Sequence, residues 1–357
     1  MKPVFLLAAI LIFGVLIAVH ELGHFLAAKL CGVRVNEFAI GMGPLLLQRE
    51  KGETLYSLRL LPVGGFCAME GEDEDTGDER SFVRQGFWKK FVILVAGAFM
   101  NFVAGVLIIA CLFAGAQGFN VDRVAGLAPE FEQTGENGLM EGDLVYKVNG
   151  YRTYLAGDAQ IFLSYAGETV DIEVVRDGRH ILIEDVARKT CTGLQGETYQ
   201  GFGLYLGYQF VPTNFFTTVR FIWYQALDFV QMTWFGLAKL IGGGVGVQDF
   251  SGPVGIVSAI TEVGEATQEA VGLGAAFYNI AYFGALIAVN LAVMNLLPIP
   301  ALDGGRIFFL VSDAICLWLF KRKIPEKYQA IVNTAGFVIL MGFMLLVTFQ
   351  DVFKLFQ

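Results

Sequence analysis

Residues 4–31 read VFLLAAILIFGVLIAVHELGHFLAAKLC. Val4 to Val19 are apolar without a break, and the apolar character resumes after His24 and runs to about Cys31. A helix needs about 20 such residues to cross the hydrocarbon of a bilayer. The competing reading of an N-terminal apolar run is a cleaved signal peptide. His20, Glu21 and His24 inside the run, with no cleavage site after it, set that reading aside. The stretch therefore predicts a membrane span that carries ionisable groups, which are costly in lipid and usually functional there.

The rest of the chain agrees with a membrane protein. Of 357 residues, 55% are hydrophobic and 17% charged, where a soluble chain carries about 25% charge; the mean hydropathy is +0.57. Further spans are predicted at 89–117, 272–300 and 330–349, four in all. Residues 214–245 and 306–320 are apolar too, but Arg220, Asp228 and Lys239 interrupt the first. Both read as amphipathic helices at the membrane interface. The net charge of -9 argues against a nucleic-acid partner. The five cysteines form no C-x-x-C pair, so a disulfide framework is not expected.

Lysine and arginine set orientation. Arg34, Arg49, Lys51, Arg59, Arg80, Arg84, Lys89 and Lys90 follow span one, and Arg306, Lys321, Arg322, Lys323 and Lys327 follow span three. Both loops are expected in the cytoplasm, with the segment 118–270 outside it. The acidic run Glu70 to Glu79 reads as a solvated loop.

Four regions result: a membrane core at 1–117, an inserted domain at 118–210, a membrane-proximal amphipathic segment at 211–270 and a second membrane core at 271–357. The insert alternates short β-prone runs with Asn149-Gly150 and Asp177-Gly178, the signature of hairpins. It resembles a PDZ domain through Gly138-Leu139-Met140-Glu141-Gly142-Asp143, Val148-Asn149-Gly150 and Val175-Arg176-Asp177-Gly178. Glu132 to Asn137 stand where that family has a small-residue stretch. Residues 33–70 are β-prone as well, which predicts a hairpin or small sheet close to the membrane. A strand edge in lipid must be paired, and a substrate backbone can pair it.

His20-Glu21-Leu22-Gly23-His24 is an H-E-x-x-H. On a helix the two imidazoles share a face and can bind one Zn²⁺, with Glu21 placed as general base. About 17 residues from Pro3 to His20 make roughly 25 Å of helix, which puts the metal inside the bilayer towards its cytoplasmic side. A catalytic zinc needs a third protein ligand and an open position. His180, the remaining histidine, falls in the extracytoplasmic insert. Asp303, after the helix-breaking Pro298 and Pro300, ends span three at the depth of His24 and is the better candidate.

The chain resembles the site-2 protease family of intramembrane zinc metalloproteases, in the bacterial RseP-like branch that carries a PDZ domain. The resemblance rests on the H-E-x-x-H, Pro62-Val63-Gly64-Gly65-Phe66, Asn101-Phe102, the insert, Ser251-Gly252-Pro253-Val254-Gly255-Ile256 and Leu302-Asp303-Gly304. It implies one Zn²⁺ per chain held by His20, His24 and Asp303, with Glu21 as catalytic base. It implies substrate contacts from Asn295 and Pro298, then Asn290, and from the Tyr56–Met69 region with Gly64, Gly65 and Phe66. The implied substrates are single-span membrane proteins pre-trimmed by another protease, such as anti-sigma factors or remnant signal peptides, and the implied location is a bacterial inner membrane. The chain departs from the family at Arg306, where many members have His, at Cys67-Ala68 for Val-Lys, and at Ala98 for Pro. One PDZ-like domain is present where some relatives have two. A catalytically dead adaptor and a metal transporter are the two rival classes. Glu21 speaks against the first, and the lack of a polar path across the membrane against the second.

Overall fold

The computed structural model describes residues 3–72, 74–193, 197–243, 252–322 and 325–354. It divides into two compact units, one of 1–108 with 233–357 and one of 109–232.

The first unit holds α1 (Pro3–Cys31), β1 (Val35–Lys51), β2 (Thr54–Met69) and most of α2 (Phe87–Phe113). Further along the chain it holds α5 (Pro253–Ala270), α6 (Leu273–Leu296), α7 (Asp303–Phe320) and α8 (Glu326–Lys354). Among the described residues four helices are long and apolar enough to cross a membrane: α1, α2, α6 and Gln329–Lys354 within α8. These match the four expected spans, and α7 lies where the helix at 306–320 was expected. Helices satisfy their own backbone groups, which hydrocarbon requires.

Lipid offers no hydrophobic drive to bring helices together, so small residues that allow close backbone approach do that work. A Cβ at Gly23 would lie 2.3 Å from the Ala96 carbonyl oxygen of α2, and one at Gly105 would lie 2.7 Å from Val289 of α6. Phe5, Ala9 and Leu16 of α1 pack with Ile260 of α5 and Ile280 and Ile287 of α6 in one buried cluster.

The expected hairpin is present, but it is more than two straight strands. Val35–Ile40 pairs with Gly65–Met69 on one side (Phe38 opposite Cys67) and with Leu55–Leu58 on the other (Phe38 opposite Tyr56). Lys51 back to Leu45 then pairs with Thr54 to Arg59. Each strand thus bends and contributes twice, so Gly65–Met69 is an outer ribbon. At Gly14 of α1 a Cβ would lie 2.2 Å from the carbonyl oxygen of Pro62, so glycine is what lets this sheet sit against the span. Its bend exposes Met42, Leu45, Leu46, Leu47, Leu60 and Leu61, an apolar tip suited to lipid.

The acidic run after it is only partly the solvated loop that was expected. Glu70 accepts from Asn36, Asp75 pairs with Arg84, and Glu72 pairs with Arg306 at the start of α7. The departure at Arg306 therefore has a partner within the same chain.

In the second unit β3 (Gly118–Leu127), β4 (Leu144–Val148), β5 (Tyr151–Arg152), β6 (Thr169–Arg176), β7 (Arg179–Ala187) and β10 (Leu204–Pro212) form one six-stranded sheet. Its order is β10-β3-β4-β6-β7, with β5 paired to β4. A short α3 (Asp158–Ser164) and a separate pair, β8 (Lys189–Thr192) with β9 (Thr198–Gly201), complete it. The two predicted turns have left-handed φ at both central residues, 48° and 81° at Asn149-Gly150 and 48° and 76° at Asp177-Gly178, as a two-residue hairpin demands. Arg176 ties the Gly138–Asp143 turn together: it forks onto the buried Asp143 at 2.6 and 2.7 Å and donates to the carbonyls of Gly135, Glu136 and Gly138.

The expected boundary at 210 falls inside β10, and the unit continues into α4 (Phe215–Ile241). Phe221 of α4 stacks on Phe119 of β3, centroids 4.3 Å apart. Gln231 both accepts from the Arg152 amide at 3.0 Å and donates to its carbonyl at 2.7 Å. The segment foreseen at 211–270 is thus two helices, α4 and α5, while its residues 244–251 lie outside the described residues, as does Lys323 of the later loop.

Candidate active site

His20 and His24 stand one turn apart on α1, and Asp303 opens α7. The three approach through their Nε2 and Oδ2 atoms: His20 to His24 at 3.1 Å, His20 to Asp303 at 3.1 Å and His24 to Asp303 at 3.2 Å. Among the described residues this is the one group of three His, Cys, Asp or Glu side chains able to share a metal ion. Tetrahedral ligands at the usual 2.0–2.1 Å from zinc are about 3.3 Å apart, so the triangle has the size zinc needs. Asp303 Oδ2 is buried and makes no hydrogen bond of acceptable geometry, although both imidazoles are near. A carboxylate oxygen without a hydrogen bond, approached by two imidazole nitrogens at this spacing, fits a cation.

Several elements build this convergence. His24 Nδ1 lies 2.8 Å from the Ile93 carbonyl of α2, which places its proton there and leaves Nε2 for a metal. One turn further along α2 is Gly97. A Cβ there would lie 2.3 Å from His24 Nε2 and 2.8 Å from His20 Nε2, inside the space the ligand atoms surround. α6 ends at Leu296, Pro298 follows, and Ala301 takes a φ of 74° before α7 begins. Gly304 and Gly305 let the first turn of α7 lie against that loop: added Cβ atoms would meet Leu297 O at 2.0 Å and Ile299 O at 2.5 Å. Asp303 is thereby carried on a tightly folded corner.

Glu21 lies beside the outer ribbon of the sheet. Its carboxylate takes a hydrogen bond from the Cys67 amide, and a Cβ at Gly65 would come within 3.6 Å of its Cγ. Gly64 takes a φ of 98°, and Phe66 lies under the Arg59 guanidinium, 5.0 Å from ring centroid to Cζ. Of the residues implied for substrate, Asn295 is half-buried with its Nδ2 3.4 Å from His20 Nδ1, and Pro298 is exposed. Asn290 sits apart from this cluster and accepts from Thr233 of α4 at 2.5 Å. His180 belongs to the other unit, where its Nδ1 bonds Glu173 at 2.7 Å.

Sequence reasoning named neither Gly97 nor Ile93, and it quoted Asn101 of α2 without a role. Asn101 is 1% exposed, with its Nδ2 3.5 Å from His20 Nδ1. The signal for them was a spacing: residues 93, 97 and 101 recur every four along an apolar helix, as His20 and His24 do.

Four spans, a sheet against the first of them and a largely buried His-His-Asp triangle, with His24 buried and His20 and Asp303 half-buried, define a multi-pass membrane protein built around a metallopeptidase motif. The profile of Peptidase family M50 matches residues 8–343, and the chain belongs to that family. It is 36% identical over 354 residues to a zinc metalloprotease of Clostridium perfringens, covering 98% of each chain. It is 31% identical to the zinc metalloprotease RasP of Shouchella clausii, covering 99% of each. The Regulator of sigma-W protease RasP of Bacillus subtilis is 28% identical, again with 98% of each chain covered. The protein is a membrane zinc metalloprotease.

Proposed function

We propose that His20, His24 and Asp303 hold one zinc per chain and that Glu21 is the base of a peptide-bond hydrolysis carried out at or within the bilayer. The mutual approach of the three ligand atoms, 3.1–3.2 Å, with Asp303 Oδ2 left without a hydrogen bond, carries this reading. Zinc at such a site supplies a Lewis acid that polarises the scissile carbonyl and acidifies water. Glu21 takes the proton from the attacking water and returns it to the leaving amine. The Cys67 amide fixes the carboxylate for that work. A transmembrane helix hides its carbonyls in its own hydrogen bonds, so a substrate must be unwound before attack. Gly65–Met69 offers an outer strand beside Glu21 on which an unwound segment can pair. Asn295, on the other side of the triangle, can bond its backbone, with Pro298 at the rim.

The substrates on this reading are single-span membrane proteins, pre-trimmed by another protease. The relative named for sigma-W regulation favours anti-sigma factors, and remnant signal peptides present the same chemistry. On this reading the membrane is a bacterial inner membrane, with the site towards its cytoplasmic side and the insert outside, an orientation that the lysine and arginine distribution supports. The insert is read as PDZ-like from its Gly138–Asp143 turn and its strands. Joined at both ends to the membrane unit, it would exclude substrates with bulky external domains.

Glu21→Gln tests the core of this. The purified variant should keep its zinc by metal analysis and lose cleavage of single-span reporters. Cleavage at the native rate would remove Glu21 from the mechanism.

A further inference from the structure

For His20 and His24 to offer Nε2 lone pairs to one metal, each ring must carry its proton on Nδ1, and that proton needs an acceptor. His24 has one in the Ile93 carbonyl at 2.8 Å. His20 Nδ1 instead faces two amides, Asn295 at 3.4 Å and Asn101 at 3.5 Å, each with its nitrogen turned to the ring. Two donors facing an N–H satisfy nothing.

The two amides differ in burial and in what their oxygens do. Asn101 is 1% exposed, and its Oδ1 is buried without a hydrogen-bond partner. Asn295 is half-buried, and its oxygen is not among the orphaned atoms. A half turn about the last bond of Asn101 exchanges two ends of nearly equal shape. The orphaned oxygen then faces His20 Nδ1. The register of the two helices agrees: Ile93 serves His24, Asn101 reaches His20, and Gly97, midway, leaves room between them.

We propose that Asn101 is a positioning residue whose side-chain carbonyl accepts the His20 Nδ1 proton and holds that ring in the zinc-binding tautomer. Asn295 is left to bond substrate. The inference rests on His20 being a zinc ligand. A buried amide oxygen left unpaired at this depth in an apolar span is otherwise costly, and this role gives it a partner.

The test is competition for zinc between a chelator and the detergent-purified full chain, with the visible spectrum of the cobalt-substituted protein as a second readout. Asn101→Leu should bind zinc 10- to 100-fold more weakly, the usual loss for an outer-shell partner, and shift the cobalt bands. Asn101→Asp restores an acceptor and should stay within a few-fold of the native chain. Asn295→Leu should leave both readouts unchanged. Native affinity and an unshifted spectrum in Asn101→Leu would overturn the proposal. Equal weakness of the Leu and Asp variants would also overturn it, because an acceptor of the same shape would then fail to restore binding. A native chain that takes up no zinc at all would instead bring down the ligand assignment beneath it.

Discussion

The chain buries carboxylates in two regions, and their surroundings are opposite. In the insert, Asp122 accepts from the amides of Gly157 and Ala159, and Asp158 from those of Tyr154 and Leu155, all at 2.7–2.9 Å. In the membrane unit Asp303 Oδ2 has no hydrogen bond and two imidazole nitrogens near it. The first kind closes loops and helix ends. The second keeps an oxygen in reserve. An orphaned oxygen alone does not mark a metal site, since Asp228 of α4 keeps one too; what sets Asp303 apart is that two imidazole nitrogens converge on its oxygen. Asp351 in α8 shows that the rule is not a matter of region: though in the membrane unit, it is of the first kind, accepting from Gly252 and Gly255 at 2.8 Å each, across the start of α5.

The largest effect expected from this contrast is at Asp303. Asp303→Ala should bring zinc content to background and end cleavage, while His180→Ala should leave zinc content unchanged; metal analysis of both decides it. Equal loss from both would erase the distinction between the two regions. Gly97→Ala comes next. Its methyl enters the space between the ligand atoms, and cleavage should fall on the order of 100-fold, as a 1 Å misplacement does, with zinc affinity reduced alongside. Asp351→Ala should lower thermal stability by about 1–3 kcal/mol through two unsatisfied amides, with zinc content unaltered.

The smallest effect concerns Asp228 of α4, buried with one oxygen unpaired, near enough to Asp158 for their charges to oppose. Burial, then the neighbouring carboxylate, raises the pKa of Asp228, and burial does so for Asp158 despite its two amide donors. A carboxyl raised in the folded state binds more protons folded than unfolded. Its contribution is therefore fully present below the ordinary carboxylate range near pH 4 and is lost as pH rises towards the folded value. Melting curves between pH 5 and pH 8 should show the second unit losing stability, and Asp228→Asn should flatten the trend by roughly 1–2 kcal/mol.

Much of the membrane unit was legible because lipid imposes strict rules on sequence. Span lengths follow from thickness, and two imidazoles and a carboxylate within five residues of an apolar run are tolerated in lipid chiefly as a metal site. Asp303 was legible because two prolines and two glycines mark a forced corner beside it. Gly97 and Asn101 were not, since a glycine in a span reads as helix packing and a lone asparagine has no pattern of its own. Both acquire meaning only when α2 lies against α1. The doubled pairing of β1 was hidden for a related reason: alternation specifies a strand but not how many neighbours it takes. The partner of Asn290, Thr233, could not be read from the motif, since it comes from a helix 57 residues away. The limit of the insert at 210 missed because its last strand and α4 belong to one packed body, which composition alone split between a soluble and an amphipathic segment.

The metal triangle draws on residues 20–24 and 303, with 282 intervening residues between His20 and Asp303. Synthesis runs from the N-terminus, so the histidine pair, the base and the supporting stripe of α2 are made and inserted long before the third ligand leaves the ribosome. Throughout that interval the proposed metal site lacks one of its three ligands. On the proposed ligand set, the site is complete only once α7 has been made and folded against α1.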